Sequence, residues 1–89
     1  MRTNVTPLHQ LPKGASAIII DIAGHAHFGA QDEQVTLRLK ELGFLPGAQL
    51  QVIGFGLFGS DPVAVRINGT KFGLRRAEAA KILTQLQPA

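Results

Sequence analysis

The spacing of apolar positions predicts short strands interrupted by one helix. Six of the eight residues 15–22 are apolar and four of them are isoleucine, which is typical of a strand buried on nearly both faces. Residues 24–31 contain two glycines and no periodic apolar pattern, so they predict a loop. Over residues 33–42 apolar side chains recur at helical spacing, which predicts a helix with one narrow core-facing stripe. That stripe consists of Val35, Leu39 and Leu42.

The ends of this helix carry residues that start and stop helices. Asp32 is the predicted N-cap, because its carboxylate can accept a hydrogen bond from a free amide of the first turn. Gly43 is the predicted end, because glycine adopts the left-handed conformation at little cost. Leu37 departs from the pattern, since it falls in the middle of the polar face between Lys40 and Glu41. A leucine in that position indicates a contact with another protein.

After Pro46-Gly47 the pattern becomes that of a β-meander. Strands are predicted at residues 50–55, 62–67 and 82–86, and residues 75–80 predict a single helical turn.

Asn68-Gly69 is the strongest turn signal in the chain, because this dipeptide favours a two-residue hairpin. Such a turn determines which residues face each other across the two strands. The predicted pairs are Ile67 with Thr70, Arg66 with Lys71, and Val65 with Phe72. Two like charges side by side, as in the second pair, are unfavourable unless an acidic partner is present.

Together the elements predict a mainly-β fold: a small closed barrel of five strands with one inserted α-helix and a short C-terminal helical turn. Eighty-nine residues are enough for a single domain, here predicted over residues 1–89. Closure would remove the free edges that so few strands otherwise expose.

Composition narrows the functional classes. The chain has no cysteine, which excludes disulfide frameworks and thiolate metal sites. Its apolar runs are far shorter than the ~20 residues of a membrane span, and its N-terminus lacks the apolar core of a secretory signal. We therefore expect a soluble cytoplasmic protein without direct membrane insertion.

The formal net charge of +3 is unevenly distributed. Glu78 is the only acid after residue 65, so this end should have a positive potential and prefer an acidic partner. The basic residues there are Arg66, Lys71, Arg75, Arg76 and Lys81.

Residues 54–59 read Gly-Phe-Gly-Leu-Phe-Gly, the spacing of a dinucleotide-binding loop. That loop must lie between a strand and a helix, whereas a strand is predicted to follow here, and the chain is too short for such a fold. The better interpretation is a long hairpin loop that exposes Leu57 and Phe58 to a partner.

His25 and His27 lie two residues apart and would point the same way in an extended backbone. They could share a transition metal ion, iron or zinc, if His9, Asp21 or Asp32 supplied a further ligand. Solvated loop histidines are the alternative interpretation, and no cofactor is required by the sequence.

No set of residues predicts an enzyme. The six acids are scattered, and neither serine lies near a histidine in the predicted fold. Nucleic acid is not expected as a partner, because Phe72 alternates to the opposite face from Lys71 and separates stacking from charge.

The ordered set of motifs resembles the ferrous iron transport protein A (FeoA) family over residues 8–86. The resemblance rests on residues 38–47, on Gly59-x-Asp61-Pro62 and on Leu74-Arg75-Arg76-x-Glu78-Ala79. It implies an SH3-like barrel in the bacterial cytoplasm that assists the ferrous iron transporter FeoB. The barrel also resembles the C-terminal domain of repressors of the diphtheria toxin repressor type, but no DNA-binding segment precedes it, so a complete repressor is not expected.

The expected function is therefore regulatory docking on FeoB, and oligomer formation is compatible with it. The expected apolar contacts are Leu37, Leu57 and Phe58, and the expected basic contacts are Arg66, Lys71, Arg75 and Arg76. Two alternatives stay open: a metal-responsive module that binds iron or zinc through His25 and His27, and a nucleic-acid-binding barrel.

Overall fold

The computed structural model describes residues 5–58 and 61–87, and for Leu57 and Phe58 it describes the backbone alone. Within these ranges the elements are β1 Thr6–Pro7, β2 Ser16–Ile22, α1 Asp32–Glu41, β3 Gln49–Phe58, β4 Asp61–Ile67, β5 Thr70–Leu74, α2 Arg76–Lys81 and β6 Ile82–Leu86. Short 3-10 segments cover Leu8–Gln10 and Ala26–Gln31.

The strands of the described residues form one antiparallel sheet in the order β1-β6-β2-β3-β4-β5. The mainly-β prediction is confirmed. The sheet has six strands instead of five, because Thr6 and Pro7 pair with Thr84 and Leu83 of β6. A two-residue pairing leaves no pattern in the sequence. Among the described residues the order has two ends, so β1 and β5 are the edge strands, and no pairing between these two strands closes the sheet into the predicted ring.

The core is built mainly from side chains of the sheet, and α1, α2 and the segment before β2 each add buried residues to it. Leu39 is fully buried, with Val35 and Leu42 packed beside the core, as the helical stripe predicted. Phe44 is also fully buried and meets Phe72 edge to face, with 5.5 Å between ring centroids. The other fully buried apolar side chains include Leu8, Ile19, Val52, Val63, Val65, Ile67 and Ile82.

The β4–β5 hairpin has the predicted turn and register. Asn68 and Gly69 both have positive φ, 51° and 77°, as a primed two-residue turn requires. The pairs are Ile67 with Thr70, Arg66 with Lys71 and Val65 with Phe72, as predicted.

The predicted loop at residues 54–59 is wrong for residues 54–58, because β3 continues to Phe58 and pairs there with Asp61. The register shifts between Phe55 and Phe58, so β3 carries one extra residue at this point. A Cβ on Gly56 would lie 2.0 Å from the carbonyl oxygen of Asp61. Glycine at this position therefore serves the close approach of two strands. The side chains of Leu57 and Phe58 lie outside the described residues, so their predicted exposure stays a prediction.

Two charged residues have roles that the sequence pattern did not predict. Gln31 is the N-cap of α1, and Asp32 is the first residue of the helix. The Asp32 carboxylate accepts a hydrogen bond from the backbone N–H of His25, at 2.9 Å, and one from the ammonium of Lys81. Lys81, predicted as part of a basic surface, is completely buried. That prediction was wrong because α2 turns this side chain inward, onto Asp32.

The Lys81–Asp32 ion pair joins α2 to α1. The Lys81 Nζ also donates to the backbone carbonyl of Asp32 at 3.2 Å and lies 5.5 Å from the centroid of the Phe28 ring. A buried ammonium is costly unless it is paired and hydrogen-bonded, and these contacts supply both. The hydrogen bond from Lys81, followed by that from the His25 amide, lowers the pKa of Asp32 below its ordinary 3.8. The ionised Asp32 carboxylate therefore stabilises the fold at pH values above its pKa in the unfolded chain. This stabilisation is lost as the pH falls through the lower pKa of Asp32 in the folded state.

Replacing Lys81 with methionine keeps most of the aliphatic stem and removes the charge. We expect Lys81→Met to lower the free energy of unfolding by about 1.5 kcal/mol in urea titration, because the variant loses a charge-assisted hydrogen bond while the Asp32 carboxylate left behind keeps some exposure to water. The control Lys40→Met changes an exposed lysine of α1 and should stay within about 0.5 kcal/mol of wild type.

A double-mutant cycle that combines Lys81→Met with Asp32→Asn measures the interaction energy between these two side chains. The double variant should lose less stability than the two single losses added together, because each single change strands a charged partner. Strict additivity would show that the two groups do not interact.

Candidate functional site

Three histidines and two arginines converge on a cleft of about 480 Å³ beside the N-terminal end of α2. We call it the histidine–arginine cleft. Its polar lining consists of His9, His25, His27, Asp61, Arg75 and Arg76. These side chains come from four parts of the chain, so the fold assembles the cleft from residues distant in sequence.

The two loop histidines are oriented by local hydrogen bonds. The backbone N–H of His25 donates to Asp32, and the backbone N–H of His27 donates to Nδ1 of His25 at 3.1 Å. The His25 and His27 rings lie edge to face with 6.1 Å between centroids. Phe28 packs edge-on against both, at 6.1 Å from His25 and 5.1 Å from His27. Because Phe28 also faces Lys81, the buried ion pair indirectly positions the histidines.

This geometry does not favour metal binding by His25. Its Nδ1 lone pair is occupied by the His27 N–H, so the neutral ring carries its proton on Nε2. A metal at either nitrogen would require that hydrogen bond to break. Across residues 5–58 and 61–87, no group of three or more histidine, aspartate or glutamate side chains is close enough to hold a metal ion.

His9 is the histidine that tertiary structure adds to the pair. Of the three further ligands that the sequence suggested, Asp32 is engaged by Lys81, and Asp21 accepts from the N–H of Ile22 at 2.8 Å. His9 does line the cleft, and its buried Nδ1 has no hydrogen-bond partner in the described part of the chain. Burial lowers the pKa of His9 below 6.5, and the positive charge of Arg76 lowers it further.

The arginines of the cleft stand at the start of α2, where acids already occupy the free amides. The N–H of Arg75 donates to Glu78 at 2.9 Å, and the N–H of Arg76 donates to Asp61 at 2.9 Å. Both arginine residues are exposed, and neither guanidinium forms an ion pair with a described residue. Their charge therefore remains available to an acidic ligand or partner.

The other predicted contacts lie on different surfaces. Leu37 leaves 59% of its surface exposed on α1, as its place on the polar face predicted. Arg66 and Lys71 are exposed and face each other across β4 and β5. The predicted basic cluster is thus divided into the hairpin pair, the two cleft arginines and the buried Lys81.

None of the helices in the described ranges has the length and apolarity needed to cross a membrane.

The lowered pKa of His9 predicts a pH dependence of stability. The folded state binds the His9 proton more weakly than the unfolded state does. The contribution of neutral His9 to the free energy of unfolding is therefore fully present above pH 6.5, and it is lost as the pH falls through the lower pKa of the folded state. NMR titration should show the pKa of His9 rising towards its ordinary value in Arg76→Gln, which removes a neighbouring charge. Arg38→Gln, an exposed arginine of α1, should leave it unchanged. Equal shifts in both variants would contradict a local effect of Arg76.

Comparison with known proteins supports the observed fold and also identifies the protein family. The model of the FeoA domain matches residues 6–86. The crystal structure of FeoA from Stenotrophomonas maltophilia, complexed with zinc and described as a prokaryotic SH3 domain protein, is 30% identical with a TM-score of 0.75. The alignment covers 90% of this chain and 89% of that one. FeoA from Chlorobium tepidum is 30% identical with a TM-score of 0.78, over 93% of this chain and 71% of that chain.

A manganese-dependent transcriptional repressor shares the fold at 16% identity and a TM-score of 0.80, over 98% of this chain and 44% of the repressor. No curated protein sequence gives a significant match. The predicted SH3-like fold is confirmed. The match across residues 6–86 shows that the chain belongs to the FeoA family of small accessory proteins associated with ferrous iron transport.

Proposed function

We propose that this chain is a cytoplasmic accessory protein of bacterial ferrous iron uptake that acts by docking on a FeoB-type transporter. The observation that carries the proposal is its membership of the FeoA family. The relative from Stenotrophomonas maltophilia is put forward as a ferrous iron transport activating factor. Docking, without transformation of a substrate, is the mechanism we assign to this chain.

Leu37 supports an apolar anchor for this docking. It lies on the face of α1 opposite Leu39, and 59% of its surface is exposed. Leu45, in the segment after α1, is a second exposed leucine, at 47%. Interfaces commonly place a few buried apolar anchors inside a polar rim, and the exposed Gln34 and Lys40 of α1 can supply part of that rim.

The distribution of charge supports an acidic partner surface. Asp32 neutralises Lys81, and Asp61 and Glu78 accept hydrogen bonds from the backbone at the start of α2. These three carboxylates thus already form an ion pair or hydrogen bonds within the chain. The exposed basic side chains remain to steer an acidic surface towards the protein. They are Arg66, Lys71, Arg75 and Arg76.

Capture of the transporter from bacterial membranes tests the proposal. Tagged wild-type protein should recover the FeoB-type transporter, with a yield that we compare with and without guanine nucleotide. Leu37→Ser should weaken the apparent affinity about tenfold or more if Leu37 is an anchor. Its free energy of unfolding should stay within about 0.5 kcal/mol of wild type, because the side chain is not part of the core.

Leu86→Ser is the matched control, because Leu86 is a half-exposed leucine of β6. It should capture the transporter as wild type does. Equal weakening by both substitutions would remove Leu37 from the interface. If wild-type protein recovers no transporter in either nucleotide condition, the proposed function is wrong.

A metal-responsive module is the second candidate. The observation in its favour is that His9 joins His25 and His27 on one cleft, with its Nδ1 unpartnered among the described residues. The Stenotrophomonas relative was crystallised with zinc. Iron or zinc bound by His25 would have to break the hydrogen bond that its Nδ1 accepts from the His27 N–H. Since the described residues offer no three-ligand group, the metal would also need water or a second copy of the chain to complete its coordination.

Equilibrium dialysis against zinc, and against ferrous iron without oxygen, tests this candidate. The double variant His25→Ala/His27→Ala should lose the bound metal, and His9→Ala should lose part of the affinity. Gln31→Ala changes an exposed residue of the same loop and should bind as wild type does. Unchanged affinity in the double variant would eliminate the site.

A further inference from the structure

The edge strand β5 presents unpaired backbone groups to solvent. In a two-residue hairpin the residues flanking the turn, Ile67 and Thr70, form a hydrogen-bonded pair, and such pairs then alternate along the ladder. Lys71 and Gly73 are consequently in non-hydrogen-bonded positions with respect to β4. Their backbone N–H and C=O groups point to the free side of β5, where no hydrogen bond to another described residue engages them.

The two edges of the sheet differ in how well they are protected. The edge strand β1 has two residues, and one of them is Pro7, which has no N–H to donate. The strand β5 has five residues and no proline. It is therefore the edge on which an added strand would find donors and acceptors in the right alternation.

The space beside β5 is open. Thr70, Lys71 and Gly73 are exposed, and a Cβ on Gly73 would meet nothing closer than the Pro62 Cβ, at 4.0 Å. A cleft of about 450 Å³, lined by Asp61, Pro62, Gly73 and Arg75, lies at the end of this edge.

The positive charge along β5 determines which kind of partner strand can be added to this edge. Lys71 lies directly opposite Arg66, and Arg75 follows the end of β5. Asp61 is the acid of the adjoining cleft, and its carboxylate already accepts the Arg76 N–H. A lysine on an edge strand disfavours pairing with an apolar or basic strand, whereas it attracts carboxylates.

We propose that β5 is a docking edge for an extended acidic segment of a protein partner, which adds to the sheet as a further strand. Main-chain hydrogen bonds to Lys71 and Gly73 hold the segment, and its carboxylates relieve the repulsion between Arg66 and Lys71. The inference rests on the proposed docking function and names the chemistry of the segment that docks.

The test uses a ten-residue peptide of alternating glutamate and threonine. By NMR, the peptide should slow amide hydrogen exchange at Lys71 and Gly73 of the wild-type protein by about tenfold or more at saturation. The same peptide N-methylated at four consecutive central amides keeps the charge but cannot form the ladder. It should bind at least about tenfold more weakly, since each tenfold loss corresponds to about one lost hydrogen bond. A peptide of alternating lysine and threonine should not bind.

Two substitutions at one position provide the matched protein variants. Gly73→Pro removes the outward N–H without breaking a bond to β4, and it should weaken peptide binding by about tenfold. Gly73→Ala keeps the N–H in open space and should stay within about twofold of wild type. The exchange measurement on wild-type protein keeps the proposal testable if Gly73→Pro does not fold.

Equal binding of the methylated and unmodified peptides would overturn strand addition and leave only charge attraction. Absence of binding by the acidic peptide at millimolar concentration would overturn the proposal, while capture of the transporter by wild-type protein would still support the docking function. If sedimentation shows a dimer that Gly73→Pro disrupts, the edge pairs with a second copy and the acidic partner is wrong.

Discussion

The buried ion pair between Lys81 and Asp32 is the interaction on which the candidate site depends. A fully buried ammonium must be paired, so α2 can pack only where the Asp32 carboxylate meets it. The same carboxylate accepts the His25 N–H, and the ammonium lies over Phe28. One pair of charges thus holds two helices and the histidine-bearing segment together, and the rings of His25 and His27 take their positions from it.

The pairing of acids within the chain determines the charge that the surface presents. Asp32, Asp61 and Glu78 all accept hydrogen bonds from groups of α2 or its first turn, and these bonds serve the fold. Among the described residues, neither Asp61 nor Glu78 forms an ion pair with an arginine or a lysine. A small protein with this distribution is suited to bind acidic surfaces, which agrees with an accessory role in the FeoA family.

The positive charge is divided between two surfaces with different chemistry. In the histidine–arginine cleft, Arg75 and Arg76 stand beside imidazoles, and the pKa of His9 is lowered first by its burial and then by the positive charge of Arg76. Along β5 the charge of Lys71 accompanies free backbone donors and acceptors. The first surface can recognise a compact anionic or metal-bearing ligand, whereas the second has the periodicity of a strand. The two surfaces share Asp61 and Arg75, but the histidines belong only to the first and Gly73 only to the second, so substitutions at those residues test them separately.

Local physical rules were sufficient for the features whose partners are near in sequence. The Asn68-Gly69 turn sets the hairpin register because its backbone geometry alone decides the pairing, and helical spacing placed Leu39 inside and Leu37 outside. The length of β3 and the engagement of Asp32 differed from expectation because both depend on contacts with other elements. Lys81 and Asp32 are 49 positions apart, and His9 reaches the loop histidines from another part of the chain. Only tertiary packing brings such groups together, since burial and long-range pairing have no periodic signature in one sequence.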